Sequence, residues 1–225
     1  MKLRYFSHSA FQLTTFAGQK ILIDPFLSGN PTSPIKAKDV EADYIILTHA
    51  HGDHLGDGFE IAKRSNSTFI CVNELAEYCK SKGFKAHNMH IGGGHIFEFG
   101  RVKFTIAHHG SMTPENQYAG EPAGVIISAD NKNVYHTGDT GLFYDMKLIG
   151  EMTSVDYMLL PIGDNFTMGI TDAAKAVELV SPKLAIPMHY NTFPVIAADP
   201  NEFKRITESK GFKVRVLNFG EEIEL

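Results

Sequence analysis

The segment Thr48-His49-Ala50-His51-Gly52-Asp53-His54-Leu55 places four metal-ligand side chains within six positions, directly after an apolar run. That run, residues 44–47, predicts a buried strand. His49 and His51 are two positions apart, and in an extended segment both imidazoles project to the same side. Ligand clusters at the end of a buried strand are the usual geometry of a site. The pattern therefore predicts metal binding rather than a His-rich surface loop, and its internal position excludes an expression tag.

A turn after the second histidine can complete the cluster. Gly52 lets the chain reverse, which brings Asp53 and His54 back toward the same point. Imidazole nitrogens bind borderline metals such as zinc, iron or nickel, while a carboxylate adds charge compensation and also accepts manganese. Four ligands from so short a stretch cannot all crowd around one ion. We therefore expect two ions, the first bound by His49 and His51 and the second by Asp53 and His54.

The composition is that of an ordinary soluble globular protein, with 225 residues of which 43% are hydrophobic. No linker or charge block divides the chain, which predicts one domain over residues 1–225. The net charge of −5 argues against nucleic-acid binding, which needs a basic face. No apolar run approaches the length of a membrane span, and the N-terminus lacks a signal peptide pattern. Cys71 and Cys79 predict buried thiols rather than a disulfide, so we expect a cytoplasmic protein.

Strand-like and helix-like segments alternate along the whole chain. Strands are predicted over residues 3–7, 10–16, 21–23, 44–47, 68–72, 102–106, 125–127, 134–135, 155–160, 184–186 and 214–217. Residues 84–107 are expected to contain further short strands, broken by glycines at 92–94 and 100. Helices are predicted over residues 59–64, 74–82, 142–150, 171–180 and 200–209, with Thr171 as an N-cap. Loops are expected over residues 25–39 and 110–122, the second of them over a site. This order of elements predicts a layered α/β or α+β fold.

Three further ligand-type residues lie just past the ends of later predicted strands. His109 follows the strand 102–106, Asp139 follows the strand at 134–135, and His189 follows the strand 184–186. Loops at strand ends gather to form sites, so these residues can complete both ion sites. The resulting assignment is His49, His51 and His109 to the first ion, Asp53, His54 and His189 to the second, and Asp139 as a bridge. Each ion then keeps open positions, as a catalytic site requires.

The signature segment also carries a family resemblance. The run from His49 to His54 matches the H-x-H-x-D-H signature of the metallo-β-lactamase fold, and the three later ligands occur in that family's order. More closely, the chain resembles the small metal-dependent hydrolases near the ascorbate-6-phosphate lactonases and N-acylphosphatidylethanolamine phospholipase D. The blocks that carry this are His8-Ser9-Ala10, Ile23-Asp24-Pro25, Gly138-Asp139-Thr140-Gly141, Pro161-Ile162-Gly163 and His189-Tyr190-Asn191-Thr192-Phe193. The resemblance implies a four-layer αββα sandwich with the site at one edge.

The neighbouring histidines 108 and 109 both offer a ligand at one position. The resemblance favours His109, because the family's ligand sits just before small residues that match Gly110-Ser111. In an extended chain, the imidazole of His108 would point to the other side. Two departures from the pattern are Ser7 where relatives often have Gly, and the lack of the phospholipases' membrane-facing parts.

Several residues around the ligands are candidates for supporting roles. The resemblance places Asp24 under the metals, where it would orient a ligand histidine, with a simple turn residue as the alternative. His8 and Tyr190 are candidates for catalysis beside Asp53, through substrate contact and oxyanion stabilisation respectively, although either could be structural. His136 could support the ligands from behind or be a plain strand residue.

Two other groups complete the list of candidates. Asn165 and Thr167 are expected to line the pocket, with a loop cap as the alternative. His87, His90 and His95 form a second histidine cluster, whose irregular spacing and Gly-rich surroundings predict a loop rather than a site.

The predicted site favours hydrolysis of a small-molecule ester, lactone or phosphodiester. Two divalent ions, zinc first and manganese or iron as alternatives, would acidify a shared water to a pKa of roughly 7 without any Ser or Cys nucleophile. One alternative is a diiron oxidoreductase on the same fold, although those proteins typically carry Glu where His51 stands. The other is a non-catalytic metal-binding protein. A homo-oligomer is compatible with all three candidate functions.

Overall fold

Two β-sheets face each other across the core in the computed structural model, which describes residues 1–225. The first sheet has the strand order β13-β1-β2-β3-β4-β5-β6. Its strands are β1 (Lys2–Ser7), β2 (Ala10–Thr14), β3 (Lys20–Ile23), β4 (Tyr44–Ile46), β5 (Thr68–Val72), β6 (Lys85–Met89) and β13 (Glu222–Glu224). The pairs among β13, β1, β2 and β3 are antiparallel, whereas β3 to β6 run parallel.

The second sheet has the order β12-β11-β10-β9-β8-β7. Its strands are β7 (Gly94–Phe97), β8 (Gly100–Ile106), β9 (Ala123–Ala129), β10 (Lys132–His136), β11 (Tyr157–Pro161) and β12 (Leu184–Met188). The strands β7 to β10 pair antiparallel, and β10 to β12 pair parallel. Mixed sheets of this kind leave the ends of several strands at one edge, where their loops can meet.

Helices cover the outer faces of both sheets. They are α1 (Gly52–Leu55), α2 (Gly58–Ser65), α3 (Asn73–Ser81), α4 (Met146–Met152), α5 (Ile170–Val180) and α6 (Pro200–Ser209). A cluster of 43 buried apolar residues fills the space between the sheets and reaches under α2 and α3. A second cluster of 17 lies between the second sheet and helices α5 and α6. The four-layer αββα sandwich implied by the family resemblance is confirmed. None of the helices combines the length and apolar character needed to span a bilayer.

The apolar pattern explains why these segments fold as they do. Strand β3 is apolar without alternation, and Ile21, Leu22 and Ile23 are all buried, as expected for a strand covered on both faces. Helix α5 buries Ala173, Ala176, Val177 and Val180, which are spaced to form one apolar face.

Two details of the predicted elements are wrong. Helix α5 begins at Ile170 after an extended Gly169, so Thr171 lies inside its first turn and is not the N-cap. The last strand is Glu222–Glu224 rather than residues 214–217, of which only Val214 forms an isolated bridge, to Ala185. The true last strand lies at the edge of its sheet and buries a single residue, Ile223, so its sequence carries little apolar signal.

The second histidine cluster is also not a loop. His87 lies within β6 and His95 within β7, and only His90 stands between the strands. Both strands are edge strands, one in each sheet. Because edge strands are half solvated, they tolerate polar residues and glycines that resemble loop sequence.

Candidate metal centre

All seven predicted ligands meet at one edge of the sandwich. The signature segment follows β4, and the loops after β8, β10 and β12 bring in the three remote residues. Three sets of side chains there have ligand atoms that all lie within 4.8 Å of one another. The sets are His49 with His51 and His109; Asp53 with His54, His189 and His8; and His49 with His54 and Asp139. We call the first of these the first donor set and the second the second donor set.

The first donor set consists of three imidazoles held close together. His49 Nε2 lies 3.0 Å from His51 Nδ1, and the ring of His109 is centred 5.1 Å from each of the other two rings. Burial lowers the pKa of all three histidines, and that of His49 falls well below its ordinary value. They are therefore neutral near pH 7, which is the form of imidazole that binds metals.

A buried carboxylate orients two of the ligand histidines from behind. Asp24 Oδ2 accepts hydrogen bonds from His54 Nδ1 at 2.8 Å and from the Thr48 hydroxyl at 2.7 Å. The Thr48 hydroxyl, having donated to Asp24, accepts from His49 Nδ1 at 3.0 Å. Both imidazoles thereby turn Nε2 rather than Nδ1 toward the centre, which is how outer hydrogen bonds orient metal-binding histidines. Asp24 thus occupies the place under the ligands that the resemblance implied.

Asp139 lies between the two donor sets. Its Oδ2 atom is 3.0 Å from His189 Nε2, 3.2 Å from His54 Nε2 and 3.7 Å from His109 Nε2. Burial raises the pKa of this carboxyl, but the charges of His189 and His54 outweigh it and hold the pKa well below the usual range. Burial alone would lower the pKa of His54. The negative charges of Asp139 and Asp24 outweigh this effect of burial and raise the pKa well above 6.5. No Lys or Arg contacts Asp139, so its charge is balanced by imidazoles alone.

Divalent ions fit these residues. Asp139 Oδ1 is buried without a hydrogen-bond partner, and His54 Nε2 has only its 3.2 Å contact with Asp139 Oδ2, although buried polar atoms are nearly always fully paired. The two atoms belong to a cluster of imidazoles and carboxylates, the donor types of zinc, iron and manganese sites. A cation between the donor sets would pair both atoms and neutralise the buried carboxylates.

His8 supports the second donor set. It sits in a left-handed conformation with φ of 55° in the turn between β1 and β2, and it is completely buried. Its Nε2 lies 3.2 Å from Asp53 Oδ2, and its Nδ1 lies 2.9 Å from the Thr192 hydroxyl. Burial lowers the pKa of His8 to about 4, so the ring is neutral and donates its one proton to Asp53. Burial raises the pKa of Asp53, but this hydrogen bond and the charge of His54 outweigh it and lower the pKa below its ordinary value.

His136 acts on the backbone rather than on a ligand side chain. At the end of β10, its Nε2 donates to the Ser9 carbonyl at 3.0 Å and its Nδ1 accepts from Gly138 N at 3.1 Å. Gly138 has φ of 64°, and a Cβ there would lie 2.6 Å from the Ala123 carbonyl oxygen, so only glycine fits. His136 therefore holds together the two turns that present His8 and Asp139.

The structure separates His109 from His108. The ring of His108 packs edge-on against Phe143 at 5.0 Å, and its backbone N–H donates to the Thr140 hydroxyl. His109 is the one whose ring joins the first donor set.

Three other predicted residues lie apart from the ligands. Tyr190 is buried in the second apolar cluster, with its ring 6.4 Å from that of Phe219, and burial raises its pKa to about 12. This placement gives Tyr190 a packing contact in place of the predicted oxyanion contact. Asn165 is exposed and Thr167 is half-buried, and neither lines the pocket over the metals.

The pocket over the candidate centre has a volume of about 230 Å³. It is lined by His51, Asp53, His109, Asp139, Phe166 and His189. The sequence predicted Asn165 and Thr167, on either side of Phe166, as pocket residues and missed Phe166 itself. The one sequence signal for Phe166 is that a large aromatic residue stands in a polar turn. A larger groove of about 630 Å³ between α4 and α5 contains no comparable cluster of ligands.

Comparisons with known proteins agree with this fold and this cluster. A profile of the beta-lactamase superfamily domain matches residues 19–190. UPF0173 metal-dependent hydrolases of Bacillus cytotoxicus and of Carboxydothermus hydrogenoformans are 51% and 52% identical to the chain, and each match covers all of both chains. Among solved structures, Igni18, a metallo hydrolase from the archaeon Ignicoccus hospitalis, is 42% identical with a TM-score of 0.91. That match covers 100% of this chain and 98% of the other.

Proposed function

The chain belongs to the UPF0173 metal-dependent hydrolases of the beta-lactamase superfamily, and from that premise we propose that it hydrolyses a small-molecule ester, lactone or phosphodiester with two divalent ions. The observation that carries this proposal is the position of Asp139, whose carboxylate contacts imidazoles of both donor sets. One carboxylate in that position can hold two cations at the short separation that two-ion hydrolases use.

The ligands divide between the ions in a definite way. The first donor set, His49, His51 and His109, would hold one ion, and Asp53, His54 and His189 of the second donor set would hold the other. Bound divalent ions supply Lewis acidity, which polarises a carbonyl or phosphoryl group and acidifies water. Zinc matches a ligand set rich in imidazole, and manganese and iron match its carboxylates.

The remaining residues orient these ligands and the water. Asp24 and Thr48 accept from the Nδ1 atoms of His54 and His49, which leaves the two Nε2 atoms directed toward the ions. His8 keeps Asp53 ionised, and Asp53 lines the pocket, where its carboxylate can accept a hydrogen bond from the attacking water. His8 is thus a positioning residue that acts through Asp53.

Hydrolysis adds one water across the scissile bond. The water oxygen bonds to the acyl carbon or phosphorus, the bond to the leaving oxygen breaks, and a proton of the water ends on the leaving group. No side-chain nucleophile is required, and both cysteines are completely buried. The presence of His51 within the first donor set favours hydrolysis over a diiron oxidoreductase.

The test is a metal-dependent activity screen. The protein is stripped with a chelator, reloaded with zinc or manganese, and assayed on lactones, phosphodiesters, thioesters and β-lactams. We expect turnover that appears on reloading and disappears on chelation. A loaded protein that hydrolyses no member of the panel would contradict the proposal.

A further inference from the structure

The rim of the pocket points to a class of substrate. We propose that the enzyme prefers uncharged esters or lactones that carry an apolar group, and that Phe166 binds this group and so determines specificity. The inference rests on the proposed hydrolase function and narrows it.

Phe166 is presented by a tight turn between β11 and α5. Gly163 and Gly169 pair across the base of this loop as an isolated bridge. At its tip, Asp164 and Asn165 both adopt left-handed conformations, with φ of 59° and 45°. Asp and Asn tolerate this region better than other non-Gly residues, and two such residues in succession reverse the chain sharply. Phe166 directly follows this reversal and comes to lie over the metal ligands.

The loop has a firm base next to the bridging ligand. Met168 is completely buried, and its backbone N–H donates to the Thr140 carbonyl at 3.0 Å. Thr140 follows Asp139, so the loop that carries Phe166 is tied to the turn that carries the bridging carboxylate. The aromatic ring is therefore held at a defined position relative to the reacting centre.

Phe166 is 56% exposed although it lines the pocket. The exposed part of an aromatic side chain gains nothing from folding, and such residues at a pocket mouth typically provide contact area for a ligand. An apolar group seated over the metals would bury the exposed face of this ring. The binding free energy from burying this ring is available only to a substrate with an apolar substituent next to its scissile bond.

More aromatic surface lies beside the second donor set. The half-buried rings of Phe26 and Phe193 are 6.3 Å apart, and each meets His8 edge-on at 5.7 Å and 5.9 Å respectively. Since His8 contacts Asp53, these rings form an apolar wall behind that part of the centre. Aromatic surface thus lies behind the second donor set as well as at the mouth of the pocket.

The pocket lacks the charges that recognise an anionic substrate. None of its six lining residues is Lys or Arg, and two of them are the carboxylates Asp53 and Asp139. Proteins usually recognise phosphate and carboxylate groups with Arg or Lys, which pair with them geometrically. The ions would serve the scissile group itself, so a second negative charge on the substituent of a substrate would find no cationic side chain and would face the ring of Phe166. Among the proposed substrates, this favours esters and lactones with a neutral substituent over phosphorylated lactones and other substrates with a charged substituent.

The experiment uses esters that share one leaving group and differ in the acyl part. These are 4-nitrophenyl acetate, 4-nitrophenyl hexanoate and mono-4-nitrophenyl adipate, the last matched to hexanoate in length but ending in a carboxylate. Bis(4-nitrophenyl) phosphate is a fourth substrate. The metal-loaded parent is compared with Phe166→Ala and with the control Phe16→Ala, whose side chain is 78% exposed on the turn between β2 and β3.

We expect the parent to prefer hexanoate to adipate by about tenfold or more in kcat/KM, because a pocket that binds an apolar group rejects a charged one. Phe166→Ala should lower kcat/KM for hexanoate by about tenfold and leave acetate within about threefold, since acetate has no chain to contact the ring. Phe16→Ala should change neither value. In a second measurement, N-phenylhexanamide should bind the metal-free parent more tightly than metal-free Phe166→Ala in an NMR titration.

Different outcomes contradict different claims. If the loaded parent hydrolyses none of the four substrates, the hydrolase proposal fails together with the inference. If it cleaves adipate as well as hexanoate, or only the phosphodiester, the hydrolase proposal stands and the inference is overturned. Equal losses for acetate and hexanoate in a Phe166→Ala protein with a parental melting temperature would also overturn the role of Phe166.

Discussion

The chain contains two clusters of histidines, and only one of them is a candidate metal centre. His49, His51 and His54 follow β4, whereas His87 and His95 lie in β6 and β7, with His90 between them. In the first cluster the imidazoles converge with two carboxylates and with histidines from remote loops. In the second, none of the three histidines forms an ion pair with a carboxylate.

The second cluster is an aromatic contact between two sheet edges. The rings of His87 and His95 are centred 4.2 Å apart, and both pack against Phe97, at 4.9 Å and 4.7 Å. Burial and the neighbouring His95 lower the pKa of His87, which favours a neutral stacked ring. The difference teaches that histidine number does not make a metal centre. What distinguishes the candidate metal centre is its buried carboxylates, which face the imidazoles and orient them from behind.

The largest expected effect comes from removing the charge of Asp139, the carboxylate that we propose bridges the two ions. Asp139→Asn keeps the shape of the side chain but removes its charge, so two cations would repel each other without compensation. We expect loss of at least one ion per chain and loss of turnover, with the fold retained because Asp139 lies past a strand end. Metal content and thermal melting are measured for Asp139→Asn and Asp139→Ala beside the parent. Full occupancy with undiminished hydrolysis in both variants would show that Asp139 is not the bridge.

A smaller loss should follow from Asp24→Asn. Asn tolerates the left-handed backbone at this position, where φ is 44°, so the fold should persist. Its NH₂ group cannot accept from His54 Nδ1, so His54 would be driven to carry its proton on Nε2, toward the metal. We expect metal affinity to fall by about 10- to 100-fold, the usual effect of losing such an outer partner.

The matched control is Asp156→Asn. This carboxylate is also nearly buried and accepts from a backbone N–H, that of Asn133, but it lies outside the candidate centre. Its loss should lower the melting temperature and leave metal affinity at the parental value. Equal metal affinity in Asp24→Asn and the parent, by competition with a chromogenic chelator, would remove Asp24 from its orienting role.

The two donor sets should respond differently to pH. The pKa of His54 in the metal-free protein lies well above 6.5, so a cation must displace its proton, and affinity for that ion should rise by about tenfold per pH unit until the pKa is passed. The pKa values of His49, His51 and His109 are lowered, so the first donor set has no histidine proton to displace above pH 6.5. Calorimetry in buffers of different ionisation enthalpy measures the protons released. Equal release by both ions would refute this distinction.

The smallest effect is expected from the second histidine cluster. His87→Ala and His95→Ala remove stacked rings at the sheet edges, and neither histidine belongs to any ligand set. Metal content should stay at the parental value and hydrolysis within about twofold, because these imidazoles have no carboxylate partner. A drop in bound metal in either variant would mean that the second cluster binds a metal after all.

The sequence predicted the fold well where apolar patterns were strong. The buried strands β3, β4 and β5 and the helix α5 all have dense apolar faces, and their predicted positions agree with the structure to within one or two residues. The edge strand β13 was missed, and β6 and β7 were expected only as short strands without bounds within residues 84–107, because a half-solvated strand needs few apolar residues.

The candidate site was predictable only in part, and for a similar reason. The signature run and the residues past three strand ends could be identified because each ligand type followed a recognisable strand. The role of Phe166 depends on two consecutive residues in left-handed conformations, Asp164 and Asn165. Neither the hydrophobic period nor the residue types predict that backbone geometry. The contact of His8 with Asp53 joins residues 45 positions apart and follows from the meeting of two loops, which no local pattern encodes.

The central claim is that two donor sets joined by Asp139 hold two ions, and metal stoichiometry tests it most directly. Protein stripped by chelation is reconstituted with zinc or manganese, desalted, and analysed for metal per chain by elemental analysis. We predict two ions per chain for the parent, and fewer than two for Asp139→Asn prepared in parallel. A stoichiometry that never exceeds one in the parent, with either metal, would contradict the two-ion account.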